Sequence, residues 1–324
     1  MQYYYAPLEG ITDDLFRRVH NRHFPGTDRY YTPFLSPCSD GPALTRKELR
    51  QVLPENNEGI PLIPQLISNS APAFLRAAAL LRDLGYKEVN LNLGCPSGTV
   101  CAKNKGAGAL KDREQLRKFL DEIFDFCPLE ISLKTRLGWA DPGEFEALLA
   151  LYNQYPVKAL IIHPRVREDF YRKPVHMDAF RAAREISRPP LVLSGGIGKA
   201  SDLPRRFPGN ESMPEAIMLG RGLVANPGLI RQIKSGRAMT REEFQEFHRE
   251  LFSLTAERLG NARGTMFRMK ELWGWMILMF DGREKYQKQL RKATTLTEYE
   301  AVTLRIFREL PLRQEADMGL DYLS

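Results

Sequence analysis

Cysteine is scarce in this chain, with four in 324 residues, at positions 38, 95, 101 and 127. So few thiols in a chain of this length fit reduced side chains in a reducing compartment, not a disulfide framework. Cys95 and Cys101 match no common zinc spacing and have no second Cys/His pair near them in sequence, so no metal site is expected. Apolar runs approaching the roughly 20 residues of a membrane helix are also missing. The opening "MQYYYAPLEG" lacks the basic region and apolar core of a secretory signal. A cytoplasmic protein with no membrane partner is therefore expected. No G-x-G-x-x-G opens the first helix, which argues against a dinucleotide-binding open sheet.

What is present is ordinary in bulk: 43% hydrophobic and 27% charged residues, enough to bury a sizeable core. The net charge of +7 permits a polyanionic partner without requiring one. Its distribution is more telling, because residues 263–292 hold 8 basic and 3 acidic side chains. Short runs rich in Ile, Leu, Val and Tyr recur at "YYYA" (3–6), "RYYTP" (29–33), "LIPQLI" (62–67) and "VNLNL" (89–93). They continue at "EISLK" (130–134), "ALIIH" (159–163), "LVLS" (191–194) and "AIMLG" (216–220). Amphipathic stretches with apolar residues at three- and four-residue spacing lie between them, at 13–24, 45–53, 72–85, 113–126, 144–155 and 177–186. Strands apolar on both faces, each followed by a helix and eight in number, predict a (β/α)8 TIM barrel.

From Thr240, with Glu243 three residues on as a capping box, the periodicity is helical with no strand. A boundary near 236–240 divides the chain into a barrel, 1–236, and a smaller all-helical domain, 237–324, ending in a loosely held tail from about 312. Along "RGTMFRMKELWGWMILMF", Met266, Phe267, Leu272, Trp273, Met276, Ile277 and Phe280 read as a buried helix face. Arg263, Arg268 and Lys270 read as its charged side, facing a polyanion or solvent.

Such barrels carry their chemistry at the C-terminal ends of the strands. Those ends here are Pro7-Leu8-Glu9-Gly10, Gln65, Asn90 to Pro96, Lys134 to Arg136, His163 to Arg165, Ser194-Gly195-Gly196 and Gly220-Arg221. The glycines of "SGGIG" and "GRG" let backbone N–H groups approach a phosphate, and Arg221 adds charge-assisted bonds. Lys134 sets a positive charge where it would stabilise the anionic form of a reduced flavin. In "NLNLGCPSGTVC", Gly94 lets the chain bend, Pro96 stiffens the turn, and Cys95 is presented to the barrel mouth with Asn92 on the same strand face. Such a thiol serves as a nucleophile, with His163 approaching in space, or as a proton donor.

At these residues the sequence resembles the dihydrouridine synthases, flavoenzymes that reduce uridine to dihydrouridine in tRNA. The likeness is carried in order by "APLEGITD", "NLNLGCPSGTV", "KNKGAGAL", "LKTRLGW", "IIHPRVREDFY", "SGGI" and "MLGRGLVANPGLI". It implies an FMN held by Pro7, Leu8 and Glu9, with Gln65 and Lys134 at the ring and His163 nearby. Ser194, Gly195, Gly196, Gly220 and Arg221 would surround its phosphate. Hydride would pass to C6 of the uracil, Cys95 would protonate C5, and NADPH would recharge the flavin. Asn92 would steady the substrate or the catalytic loop, Arg165 would meet the substrate, and Arg268 and Lys270 on the C-terminal helices would meet tRNA. A monomer is expected. Ser194-Gly195-Gly196 and Val166 depart from the family's Asn-Gly-Asp and Thr, which leaves backbone contacts at those places. The competing expectations are a flavin-dependent reductase of a small pyrimidine, akin to dihydroorotate dehydrogenase, and a non-enzymatic tRNA-binding protein. A small-molecule enzyme has no need of a basic helical extension, and a non-enzyme would purify colourless.

Overall fold

In the computed structural model, residues 1–38, 40–209 and 211–319 are described. Nine parallel strands form one sheet: β1 Gln2–Tyr5, β2 Arg29–Tyr31, β3 Leu62–Ile63, β4 Gln65–Leu66, β5 Glu88–Leu93, β6 Glu130–Arg136, β7 Leu160–His163, β8 Leu191–Ser194 and β9 Ala216–Leu219. The order is β3-β2-β1-β9-β8-β7-β6-β5-β4, so the two ends are joined through Pro64 and the sheet is a nearly closed barrel. The run "LIPQLI" expected as one strand is two, because Pro64 has no N–H for the ladder and interrupts it.

Helices α1 Asp14–His23, α2 Arg46–Arg50, α3 Ala71–Asp83, α4 Gly98–Cys101, α5 Arg113–Phe126, α6 Glu144–Tyr152, α7 Met177–Ile186, α8 Leu203–Arg206, α9 Arg221–Ala225 and α10 Leu229–Ser235 accompany the barrel. α4 and α9 fall inside segments read as motifs, too short for a periodicity signal. Ser70, Asp112 and Asp13 each accept a backbone N–H at the start of their helices, which explains the sharp onset of α3, α5 and α1. None of the helices among the described residues is long and apolar enough to cross a membrane.

The strands were expected to be apolar on both faces, which holds for most of the barrel and fails on the inner face of β5 and β6. Alternate residues point to opposite faces of a strand. Val89, Leu91 and Leu93, Ile131 and Leu133, and Leu160 and Ile162 belong to the large core between sheet and helices. The other parity fills the barrel: Tyr4, Ala6, Tyr31, Ala159, Ile161, Val192, Ala216 and Met218 cluster there. On β5 and β6 that parity is Asn90, Asn92, Ser132 and Lys134. The barrel interior therefore turns from apolar to polar toward the site.

Beyond α10 come α11 Arg241–Leu259, α12 Ala262–Met276, α13 Glu284–Lys292 and α14 Leu296–Glu309. The expected capping box at Thr240 and Glu243 opens α11. α11 lies against α1, where Phe16 and Phe247 meet edge to face at 6.0 Å. Buried Asp14 accepts both arms of Arg258 at 3.0 and 2.6 Å, and Glu250 accepts from Arg22 and His23. The tail expected to be loose is tied down over residues 312–319. Leu312 bridges Phe280, Arg283 meets Asp317 at 2.8 Å, and Glu315 accepts from the amide and hydroxyl of Ser201 on the barrel at 2.8 and 2.7 Å. Residues 320–324 lie outside the described residues.

Candidate active site

The strand ends surround a cavity of about 330 Å³. Pro7, Leu8, Glu9, Gln65, Asn92, Cys95, Lys134, His163 and Arg221 all line it, as the sequence reading expected. A larger cleft of about 590 Å³ shares its Glu9, Pro33 and Phe34 wall and continues between the barrel rim and α12.

Cys95 is held from two sides. Asn92 Oδ1 accepts the N–H groups of both Gly94 and Cys95 at 3.0 Å, and Asn92 Nδ2 donates to Gln65 Oε1 at 2.8 Å. Gln65 Nε2 passes the chain on to Asn90 Oδ1 at 2.8 Å, and Asn90 Nδ2 to Ser132 Oγ at 2.9 Å. Asn92, expected to steady substrate or loop, thus steadies the loop. Behind the turn, Ala107 N donates to Cys95 O at 3.0 Å, and Gly106 has φ +57, where a Cβ would sit 2.9 Å from that carbonyl oxygen. This is why "GAG" follows the cysteine motif. Gly94 differs from expectation, since its φ is outside the left-handed region. It lies against β6, where a Cβ would make an ordinary contact 3.4 Å from Thr135 C, and Gly94 O accepts Arg136 Nε at 2.9 Å.

Burial pushes the Cys95 thiol above its ordinary value, outweighing the Ser97 N–H and the charges of Arg136 and Lys134. It is a neutral thiol at pH 7, a state suited to giving a proton and not to attacking as a nucleophile. Burial, reinforced by Arg136, brings the Lys134 ammonium down to about 8. His163 is held well below its ordinary value by burial and by Arg136, Lys134, Arg165 and Arg221, so the ring is neutral. Arg165 donates to His163 Nε2 at 2.9 Å, which leaves the ring proton on Nδ1. A neutral, already engaged imidazole gives Cys95 no activating base.

The glycine cradle is built by close approach. Gly195 has φ +97 and a Cβ there would fall 2.8 Å from His163 Nε2, while Gly196 has φ +73 with Val175 Cγ2 at 2.8 Å from the same construction. At Gly222, which the sequence reading passed over inside "GRG", a Cβ would reach Gly198 O at 2.5 Å. Loops after β8 and β9 therefore press backbone to backbone beneath Arg221, and Ser194 is buried at the end of β8. Val166, in the place of a family Thr, donates its N–H to Asp169 at 3.0 Å and accepts Arg136 at 2.9 Å.

Three residues expected to meet the substrate make contacts within the chain. Arg165 is 1% exposed, with Nε on the Lys173 carbonyl and Nη1 on His163, so it braces the loop beneath the cavity. Arg268 donates to the carbonyls of Gly10 and Ile11 and lies 3.5 Å from Asp13, clamping α12 to the loop after β1. Lys270 donates to the carbonyls of Arg291 and Ala293 and so caps α13. Of the apolar face expected on α12, Met266, Leu272, Trp273, Met276, Ile277 and Phe280 are buried, but Phe267 is 69% exposed. Conversely, Tyr171 and Trp275 line the cavity without having been anticipated. The first lies in a loop and the second on a helix more than a hundred residues further on, and neither carries a strand-end signal.

The sequence profile of the family described as "Dihydrouridine synthase (Dus)" matches residues 4–310. The chain belongs to the dihydrouridine synthase family. It is 32% identical over 246 residues to a tRNA-dihydrouridine(16) synthase of Pseudomonas putida, covering 73% of this chain and 74% of that one. It is 24% identical over 311 residues to tRNA-dihydrouridine synthase B of Pseudomonas aeruginosa, covering 93% and 91%. Part of the fold is similar to that of histamine dehydrogenase from Rhizobium sp. 4-9, at TM-score 0.54 and 14% identity over 73% of this chain and 46% of that one.

Proposed function

We propose that this chain is an FMN-dependent enzyme that reduces a uridine of tRNA to 5,6-dihydrouridine with NADPH as reductant. The observation that carries the reading is one cavity lined by a neutral thiol, an ammonium and the Arg221 guanidinium, in a chain of the dihydrouridine synthase family. Gly195, Gly196 and Gly222 are required by their close contacts with His163, Val175 and Gly198, and the backbone N–H groups of these loops, with Gly220 and Arg221 beside them, would hold a phosphate. Pro7, Leu8 and Glu9 supply wall and backbone, and Gln65 and Lys134 face the ring. When bound, the flavin supplies the hydride for C6. Lys134 holds negative charge, neutral His163 donates through Nδ1–H, and Cys95 gives its proton to C5, so that one hydride and one proton saturate the C5–C6 bond. Asn92 keeps that thiol in place. Barrel residues 1–236 carry this chemistry and the helices of 237–324 help to meet the RNA. Wild-type protein is expected to purify yellow, and tRNA from a strain lacking it is expected to lose dihydrouridine at one position. A colourless protein that takes up no FMN, or unchanged dihydrouridine, removes the proposal.

Lys134 makes flavin retention pH-dependent. Its charge is present below about 8 in the free protein and is lost as pH rises through that value. Anion binding moves the transition upward, so retention in the wild type is expected to fall above pH 8, while Lys134→Met binds weakly and without that dependence. Between about 8 and 10.5 the unfolded chain holds the Lys134 proton more tightly than the folded one, so the flavin-free protein gains stability as pH rises across that window. Equal retention by Lys134→Met at pH 7 would take the ammonium out of the site.

The internal bonds of Arg268 and Lys270 change which cations are expected to meet RNA. Arg268→Glu sets a carboxylate against two carbonyls and Asp13, and is expected to cost about 1–3 kcal/mol of stability, read by thermal melting. Arg263 is exposed at the start of α12, beside the Gly264 wall of the larger cleft. Arg263→Glu is expected to leave the melting temperature alone and to flatten the salt dependence of tRNA binding by about one counterion. An unchanged salt slope would move the RNA footprint to the exposed cations Lys285, Lys288, Arg291 and Lys292.

A further inference from the structure

Trp273 and Trp275 stand two residues apart on α12, about 200° around the helix. Trp273 is buried in the helical core, where its Nε1 donates to Tyr299 at 2.9 Å and to His248 at 3.1 Å. Trp275 turns the other way and lines the barrel cavity. There the Arg221 guanidinium carbon lies 5.9 Å from the Trp275 ring centroid and 4.8 Å from that of Tyr171. A guanidinium at these distances is attracted by the ring faces, and more strongly where water is excluded.

Tyr171 is itself held firmly. Arg136 lies 5.1 Å from its ring centroid and the His163 ring 5.8 Å from it. The preceding Phe170 has φ 50 and ψ −106, a conformation that a residue with a Cβ adopts only when its surroundings impose it. Those surroundings are Arg167, 4.6 Å from the Phe170 ring and 4.7 Å from that of Trp139, and buried Asp169, which accepts from Val166 N. The loop thus delivers Tyr171 to Arg221 from the barrel side.

Trp275 arrives from the helical side by an equally fixed route. Arg268 and Trp275 are seven residues apart, two turns, and therefore share one face of α12. Arg268 is bonded to the carbonyls of Gly10 and Ile11, directly after the Pro7-Leu8-Glu9 wall. One helix face is thus anchored at one end of the cavity and reaches Arg221 at the other.

We infer that Trp275 is a positioning residue for the cofactor. Together with Tyr171 it holds the Arg221 side chain where a phosphate in the glycine cradle meets it, so the helical region takes part in flavin binding as well as in RNA contact. The inference rests on the reading of this cavity as a flavin site. The test uses the full-length protein, stripped of flavin and titrated with FMN, following flavin fluorescence and the melting temperature with and without FMN. Trp275→Leu is expected to bind FMN about tenfold more weakly, with an unchanged melting temperature in the flavin-free form and a smaller rise on FMN addition. Trp275→Phe is expected to recover most of the affinity, because a ring face is what Arg221 needs. Wild-type affinity in Trp275→Leu overturns the inference. So does a lowered flavin-free melting temperature that Phe fails to restore, which marks a purely structural residue. A wild-type protein that takes up no FMN overturns the flavin reading itself, and that result is visible before any variant is made.

Discussion

Replacing Cys95 with alanine is expected to lower uridine reduction in tRNA by roughly 10²- to 10⁴-fold, the range general acids contribute, while the protein folds and keeps its flavin. The side chain lost is small and half-buried, and the turn that carries it is held through backbone groups that alanine retains: its N–H on Asn92 and its carbonyl on Ala107. Oxidation of NADPH by the bound flavin does not use the uracil proton and is expected to survive. The pH profile has a defined sign. The acid works as neutral thiol, and burial raises its pKa above the ordinary thiol value. Wild-type turnover should therefore hold through neutral pH and fall only in the alkaline range where the thiol ionises. With FMN kept saturating, so that the Lys134-linked loss of flavin does not enter, any residual turnover in Cys95→Ala should lack that limb. Single-turnover reduction of tRNA by the pre-reduced protein measures both, and full activity in the alanine variant would take Cys95 out of the mechanism.

What the sequence disclosed and what it concealed divide along a physical line. Residues whose role follows from strand position and backbone chemistry were readable, since β7 ends at His163, β8 at Ser194 and the cysteine turn follows β5. The Thr240 and Glu243 capping box is local, so its bonds are written in four adjacent residues. Contacts made across space were not readable. A charge count over 263–292 cannot tell that Arg268 reaches the carbonyls of Gly10 and Ile11, about 260 residues away in sequence, or that Lys270 caps α13. Periodicity put Phe267 on the apolar face, yet it points into the larger cleft. Gly94 looked like a conformational glycine, but its φ is outside the left-handed region and its carbonyl is held by Arg136 of β6, a partner that only the sheet supplies. Asn90 was read only as part of a strand end, although it links Gln65 to Ser132 within the barrel.

That buried amide chain sets up the second large effect, at Asn92. Its side chain makes three bonds: two accepted from the N–H groups of Gly94 and Cys95, and one donated to Gln65. Asn92→Leu keeps the approximate volume and removes all three. Each buried donor or acceptor left without a partner costs about 1–3 kcal/mol, so a loss on the order of 3 kcal/mol or more is expected, visible as a fall of several degrees in melting temperature. Turnover should fall with it, because the amide groups that fix the Cys95 turn are released and a thiol displaced by about 1 Å can cost 10²-fold. Asn92→Asp separates the two roles. A carboxylate still accepts from Gly94 and Cys95 but presents an oxygen to Gln65 Oε1. Gln65 cannot turn its amide to answer without setting its own oxygen against Asn90 Oδ1, whose NH₂ is given to Ser132. The aspartate variant should therefore retain much of the turn and of kcat, and lose chiefly stability and the placement of Gln65 at the flavin. If leucine and aspartate instead reduce kcat equally while flavin affinity is unchanged in both, Asn92 acts on the substrate directly and not through the loop.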